Sequence, residues 1–184
     1  MTPLPDTRRI RAWLRRGGVI AYATESCFGL GCDPRNARAV EKILALKGRS
    51  RAKGLILIGS EFRQFSRYLR PPADALASHF PRWWPGPNTL LLPASRRCPR
   101  WLTGRHAKLA VRVTAHAETA RLCRALGMAL VSTSANRSGR RALKTAAACR
   151  AAFGQRVRVL PGRVGRRRAP STILDPSSGA VLRA

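Results

Sequence analysis

Residues 19–34 read VIAYATESCFGLGCDP, and residues 46–58 read LKGRSRAKGLILI. The first stretch opens with a continuous apolar run over 18–23, the pattern of a strand covered on both faces. It then passes into a polar, glycine-bearing segment, 24–35, that reads as a turn. Between the two stretches, 36–47 places Val40, Ile43 and Leu44 on one helical face behind Asn36 as N-cap. Lys47 ends that helix, where the macrodipole tolerates a cation. Gly54 opens LILI, a second short apolar strand. A strand, a helix and a second strand in this order, with Lys47, Arg49, Arg51 and Lys53 gathered before the second strand, predict a mixed α/β fold with a cationic turn.

Outward from this core the alternation continues. A helix is predicted over 7–16, with Ile10, Trp13 and Leu14 at helical spacing, Asp6 or Thr7 as cap and Gly17-Gly18 as stop. Helices are expected at 61–69 (Phe62, Phe65, Leu69), 72–80, 116–126 (stopped by Gly127) and 143–153, with Ala147 and Phe153 inward. Strands are expected at 89–92 after the WWPGP turn, at 108–113 (KLAVRV), at 129–133 (ALVST), and in VRVL, STILD and AVLRA. The last two are joined across a turn at 176–179. Seven or so strands interleaved with five or six helices, with no repeat and no linker, predict a single mixed α/β domain over 1–184.

Composition limits the chemistry. The 184 residues with 45% hydrophobic content suffice for one core. No apolar run approaches the roughly 20 residues of a bilayer span, and the N-terminus carries no cleavable apolar segment, so a cytoplasmic protein is expected. The five cysteines form no C-x-x-C pair and have no histidine at zinc-ligand spacing. We read them as reduced and mostly buried, and no protein metal site is expected. Thirty-six Lys and Arg against eight Asp and Glu give a formal charge of +28, which calls for a phosphate-rich partner. Only Lys42, Lys47, Lys53, Lys108 and Lys144 are lysines, so compositional drift toward arginine could account for part of the excess, and two of the five fall within one seven-residue stretch.

The residue types point to anions. No Ser-His-Asp set is persuasive, and His79, His106 and His116 read as surface residues. Carboxylate pairs are scarce, with Glu25 and Asp33 in the first turn and Asp175 near the end. What remains is a set of donors: Lys47, Arg49, Arg51, Lys53, Arg112, Ser132-Thr133-Ser134 with Asn136, and Ser171-Thr172. Such donors neutralise a triphosphate and the charge that develops in phosphoryl-type transfer. The spacing fits neither the phosphate loop G-x-x-x-x-G-K-[ST] nor the dinucleotide pattern G-x-G-x-x-G.

YATES with FGLGCDP, LKGR with KGLILI, RWWPGPNTLLLPA, PRWLTGR, LAVRVTAH, LVSTSANRSG and APSTILD together resemble the YrdC/Sua5 family, most closely its short bacterial members. The resemblance runs in order from about residue 7 to the C-terminus. It implies a YrdC-like fold, a single α/β domain with an open, twisted, mixed parallel and antiparallel sheet flanked by helices and a concave basic face. It also implies an enzyme, a nucleotidyltransferase that joins L-threonine, bicarbonate and ATP into threonylcarbamoyl-AMP and pyrophosphate. That product serves the t6A modification at position 37 of tRNAs reading ANN codons. Mg²⁺ held mainly by the phosphates, hand-over to the TsaD, TsaB and TsaE proteins, and contact with tRNA are further implications.

By the same resemblance, the K-x-R element is Lys47-Gly48-Arg49, the catalytic pair, which with Lys53 would contact the ATP phosphates. Ser134 and Asn136 of S-x-N, and Arg183, would also meet the nucleotide. Thr24, Ser26, Arg112, Ser132 and Ser171 (or Thr172) would hold threonine. Each has a plainer reading. Thr24 could bond to backbone at a strand end, and Ser132 to Ser134 could cap a helix. Arg112 in an apolar strand needs an anion, which a structural carboxylate could supply, though only eight exist. Trp83, Trp84 and Trp101 read as packing at turns, and the runs 137–144 and 163–168 as solvated loops. Two family prolines are replaced, by Ala23 and Ser50, which predicts looser substrate loops. The chain also lacks the extra C-terminal domain of the longer Sua5 members, so any lid is expected from within the domain. Two rivals stay open: a non-catalytic RNA-binding module, and a carbamoyl-adenylate role like that of the YrdC-like segment in hydrogenase maturation proteins.

Overall fold

The computed structural model describes residues 6–183. Its nine-stranded mixed sheet has the order β7-β1-β2-β6-β3-β5-β4-β8-β9. The strands are β1 (Ile20–Ala23), β2 (Phe28–Gly31), β3 (Ile56–Gly59), β4 (Asn88–Pro93), β5 (Lys108–Val113), β6 (Leu130–Ser134), β7 (Arg158–Val159), β8 (Thr172–Leu174) and β9 (Val181–Arg183). β1 with β7, β3 with β5 and β4 with β8 are parallel pairs, and the others are antiparallel. The helices are α1 (Thr7–Arg15), α2 (Ala37–Lys47), α3 (Asp74–Ala77), α4 (Arg100–Thr103), α5 (Ala117–Leu126) and α6 (Ala146–Phe153).

The opening stretch departs from its reading in one respect. The predicted turn at 24–35 contains a strand, since β2 pairs with β1 on one side and β6 on the other and all four of its residues are buried. Its glycines signal close packing here rather than a bend. A Cβ on Gly31 would lie 2.6 Å from a ring carbon of Tyr22 and 2.7 Å from the Val131 carbonyl. The real turn is 24–27, closed by Thr24 N donating to Cys27 O at 3.0 Å. That added strand is part of why the sheet has nine strands and not about seven.

Other differences have equally local causes. The predicted helix at 61–69 is a 3₁₀ segment, Phe62–Tyr68; Phe62, Phe65 and Tyr68 recur every three residues, which suits three residues per turn. Prolines at 71, 72 and 81 cut the predicted helix at 72–80 to α3 and a 3₁₀ turn at Phe80–Arg82. α6 starts at 146 because Thr145 caps it, its hydroxyl accepting from Ala148 N at 3.1 Å. On α6 the inward residues are Cys149 and Phe153, whereas Ala147 is exposed. His116 is no unpartnered surface residue: it caps α5, with Nδ1 3.1 Å from Thr119 Oγ1 and Nε2 2.9 Å from Arg163 O. The tryptophans do pack at turns, Trp84 donating to Asn88 O and Trp101 to Pro34 O.

Two apolar clusters hold the sheet. On one face α1 and α5 bring Ile10, Leu14, Leu122 and Leu126 against Ile20, Tyr22, Ile58 and Leu130. Burying each such aliphatic side chain stabilises the fold by about 1.5–3 kcal/mol before entropy is counted. On the other face, residues such as Val40, Ile43, Leu57, Val111 and Val131 build the larger core with α2, α4 and α6. The helices of the first face cover only part of it, and the uncovered part is where the functional residues lie.

Candidate active site

Strand alternation sends every second residue to that partly covered face. Register aligns Ser132 of β6 with Ile56 of β3, Ile56 with Ala110 of β5, and Ala110 with Leu91 of β4. Beside this row, Gly29 of β2 faces Ser134. Small side chains at Gly29, Ala110, Ser132 and Ser134 leave a hollow, the floor of a cleft of about 1190 Å³. Its rim comes from the cationic turn after α2 and from the segments around 140, 168 and 183.

Ten of the eleven expected site residues line this one cleft: Thr24, Ser26, Arg49, Lys53, Arg112, Ser132, Ser134, Asn136, Ser171 and Arg183. The alternative Thr172 instead receives Arg167 Nη2 at 3.3 Å away from the floor. Thr24 keeps its plainer contact as well, its hydroxyl donating to Cys27 O at 2.8 Å. Arg105, Lys108, Arg140, Arg141, Lys144 and Arg168 also line the cleft; the four arginines were indistinguishable in sequence from the general arginine excess. The runs 137–144 and 163–168 are solvated loops as expected, with residues 137–141, 144, 163, 166 and 168 exposed, and Arg140, Arg141, Lys144 and Arg168 among them reach the rim of the cleft. Gly165 N and Arg167 N donate to the carbonyls of Thr24 and Glu25 and brace the first turn.

Lys47, the eleventh, lies behind the wall. It is buried, and Nζ donates to Ser134 O at 2.6 Å, Asn136 O at 3.0 Å and Asn136 Oδ1 at 2.8 Å. Ser134 Oγ in turn donates to Asn136 Oδ1 at 2.7 Å, and Asn136 Nδ2 donates to Arg140 O. One ammonium thus pins the whole S-x-N segment. Burial, then the neighbouring Arg49, push its pKa down to about 8.

The rest of the lining is anion-seeking. Arg49 donates to Gly54 O at 3.0 Å, but its Nε is buried without a partner. Arg183 clasps Ser171 through its carbonyl at 2.8 Å and its hydroxyl at 2.9 Å, and Thr89 Oγ1 donates to the same hydroxyl. The pKa of Arg183 is lowered by burial and by repulsion from Arg112 and Arg49, and that of Arg49 by burial. Among the described residues, no Asp or Glu lines the cleft. An anion entering it relieves repulsion among guanidiniums held in place by backbone carbonyls. At the lost proline, Ser50 caps the 3₁₀ turn Arg51–Lys53, its hydroxyl accepting from Ala52 N at 3.2 Å.

Comparison with known proteins follows the same lines. The family model Sua5_yciO_yrdC, described as telomere recombination, matches residues 12–184. The threonylcarbamoyl-AMP synthase of Chromobacterium violaceum is 59% identical over 98% of this chain and 95% of its own length. That of Thiobacillus denitrificans is 55% identical over 95% and 93%. Among solved structures, P. abyssi Sua5 complexed with L-threonine superposes with a TM-score of 0.84 at 30% identity, over 92% of this chain; the chain spans 50% of that protein's length. E. coli YciO shares the fold, with a TM-score of 0.82 at 23% identity over 97% of this chain and 90% of the other.

Proposed function

We propose, since the chain belongs to the Sua5–YciO–YrdC family, that its cleft joins L-threonine, bicarbonate and ATP into threonylcarbamoyl-AMP with release of pyrophosphate, for t6A modification of tRNA. The relatives that match almost end to end carry the name of this synthase. The single observation that carries the reading to this chain is the cleft itself. Ten residues from segments as far apart as 24 and 183 converge on one acid-free basin.

The carbamate made from threonine's amine and bicarbonate-derived CO₂ attacks the α-phosphorus of ATP, and pyrophosphate leaves. Arg49, Lys53 and Arg183 offer guanidinium and ammonium groups to the phosphates, where charge grows in the transition state. Arg112, on the floor, suits a carboxylate through its planar fork. Lys47 contributes by holding Ser134 and Asn136 in place, and the phosphates would draw on the same ammonium as they arrive. No side chain is required as a covalent nucleophile. Mg²⁺ would be held mainly by the phosphates, whose oxygens are the hard ligands it prefers, and would supply charge neutralisation there. The adenylate would pass to the TsaD, TsaB and TsaE proteins. No helix of the described residues is long and apolar enough to cross a membrane.

The test is direct. The purified chain with ATP, bicarbonate and labelled threonine should yield labelled adenylate and stoichiometric pyrophosphate, both lost when threonine is omitted. Pyrophosphate release that ignores threonine, or no turnover together with salt-sensitive RNA binding, would refute the assignment.

A further inference from the structure

The wall of the cleft that carries Ser171 and Arg183 has a narrow attachment. β8 joins the sheet through three residue pairs with β4, from Asn88 with Thr172 to Leu90 with Leu174. β9 hangs on β8 alone at the sheet's edge, with a register shift beside Ile173 and Leu174 and all three of its residues exposed. Arg183, paired with Ile173, is therefore placed by whatever fixes this hairpin and not by a core around it.

The turn of the hairpin is held from two strands away. Asp175 closes that turn: its amide donates to Ala180 O at 2.8 Å and its carbonyl accepts from Gly179 N at 2.8 Å. Its Oδ1 accepts from Ser177 N at 3.1 Å and from Ser177 Oγ at 2.7 Å. Oδ2 accepts from Lys108 Nζ at 2.5 Å, and the same ammonium donates to Ser177 Oγ at 2.6 Å. Lys108 opens β5 on the face that carries Ala110 and Arg112, and β4 lies between β5 and β8, so the side chain spans β4 to reach the turn.

Other ion pairs in the chain differ. In Arg9–Asp6, Arg51–Glu41 and Arg63–Glu61 the arginine is largely exposed, and a solvated pair of that kind contributes little. The side chains of Lys108 and Asp175 are 32% and 14% exposed, and the pair joins segments 67 residues apart. Eight acids face 36 Lys and Arg in this sequence, and here one of the eight engages a lysine of the cleft lining.

We propose that Lys108 is a positioning residue for nucleotide binding: through Asp175 and Ser177 it straps the β8–β9 hairpin to the sheet and so fixes the guanidinium of Arg183 at the cleft. The inference rests on the reading that the cleft takes ATP, and it names what sets one of the groups offered to the phosphates. A compact ammonium suits the task, since it reaches oxygens on two different residues, whereas a planar guanidinium fork favours the two oxygens of one carboxylate. Ser171 has a hold of its own, Thr89 Oγ1 donating to its hydroxyl at 2.9 Å. The strap therefore acts on the nucleotide more than on threonine.

Calorimetry with ATP and with L-threonine reads the effect. Lys108→Met keeps the apolar stem and removes the charge, and Asp175→Asn removes the opposite charge; each should weaken ATP binding by about fivefold and leave threonine binding within about twofold. In an Arg183→Ala background, which lacks the group being placed, Lys108→Met should cost nothing further. Asp175→Glu should restore part of the ATP affinity. The sign of Asp175→Asn is decisive: a lysine that itself binds phosphate would be set free by this change and ATP would bind more tightly, which overturns the proposal. Additive losses with Arg183→Ala overturn it too, as does a joint loss of ATP and threonine binding with a lower Tm, the mark of a pair that serves only the fold. Hydrogen exchange needs no ligand: the amides of β8 and β9 should lose protection in both variants while β3 and β5 keep theirs, and unchanged hairpin protection also refutes the strap. If the wild type makes no adenylate, yet hairpin protection and ATP affinity fall in both variants, the synthase reading fails and the strap stands. If adenylate forms and both variants match the wild type, the synthase reading stands and the strap fails.

Discussion

Two ends of one sheet face do opposite things two residues apart. On β6, Leu130 lies under α5 and Ser132 lies in the cleft; on β3 their register partners are Ile58 and Ile56. The strands, the hydrogen-bond ladder and the face are the same. What differs is whether a helix covers the position, and the side chains partly follow: large aliphatics at the covered end, and at the open end a row in which Ser132 and Ala110 stand beside Ile56 and Leu91. Arg112, the register partner of Ile58, stands at the border. A binding cleft here is a part of the sheet that the helices leave bare, so its floor inherits the rigidity of the ladder.

The largest expected effect comes from damaging the covered end. Leu130 is fully buried, so Leu130→Ala should cost about 2–5 kcal/mol of stability, the range for a truncated core leucine. Ligand affinity of the folded fraction should be nearly unchanged. Chemical denaturation and threonine calorimetry measure the two separately. A variant as stable as the parent would mean that the two ends are not energetically distinct.

Next comes the link between the open end and its wall. Lys47→Ala removes the group that pins Ser134 and Asn136, and pyrophosphate release should fall by well over tenfold, about 1.4 kcal/mol or more in the barrier. The wild-type pH profile should carry the same signature. With a pKa near 8, Lys47 loses a donor as pH rises through that value, so activity should decline above about pH 8, and this inflection should vanish from the residual activity of Lys47→Met. Stability runs the other way. The pKa is depressed from 10.5 in the folded chain, so between about 8 and 10.5 the unfolded chain binds more protons than the folded one, and this group's contribution to stability rises with pH across that window. Opposite slopes of activity and stability above pH 8 are hard to obtain from a cation that serves only the fold.

The sequence made much of this legible, and the limits have physical reasons. Apolar alternation in KLAVRV announced β5, which has one face in a core, and the apolar run of ALVST announced β6, whose Leu130 and Val131 enter opposite cores. β2 escaped notice because its glycines, read as turn formers, serve close contact with Tyr22 and the Val131 carbonyl. The convergence of ten site residues was legible only through whole-chain resemblance, since register between strands distant in sequence leaves no local pattern. Glu25 was read only as a carboxylate of the first turn, and in the fold it is the acid nearest Arg112, with Oε2 3.5 Å from Nη2. The clue was nonetheless present, in that Arg112 needed an anion and few acids were on offer. Lys47 shows the converse case: its residue type predicted a phosphate ligand, and only the fold reveals the carbonyls that hold it.

The smallest stability effect should come from reversing the logic of the first variant. Ser132→Val adds apolar bulk at the open end, at a strand position where a β-branched residue is favourable. Ser132 is already 6% exposed and shares its row with Ile56 and Ala110, so stability should move by less than about 1 kcal/mol. Threonine binding should nevertheless weaken, because the added methyl groups rise from the floor of the hollow that the substrate must enter. Paired with Leu130→Ala, which loses stability and keeps affinity, this variant keeps stability and loses affinity. If Ser132→Val instead unfolds the chain, the open end is core after all, and the small residues of the floor are there to fit neighbouring side chains rather than to leave room for a ligand.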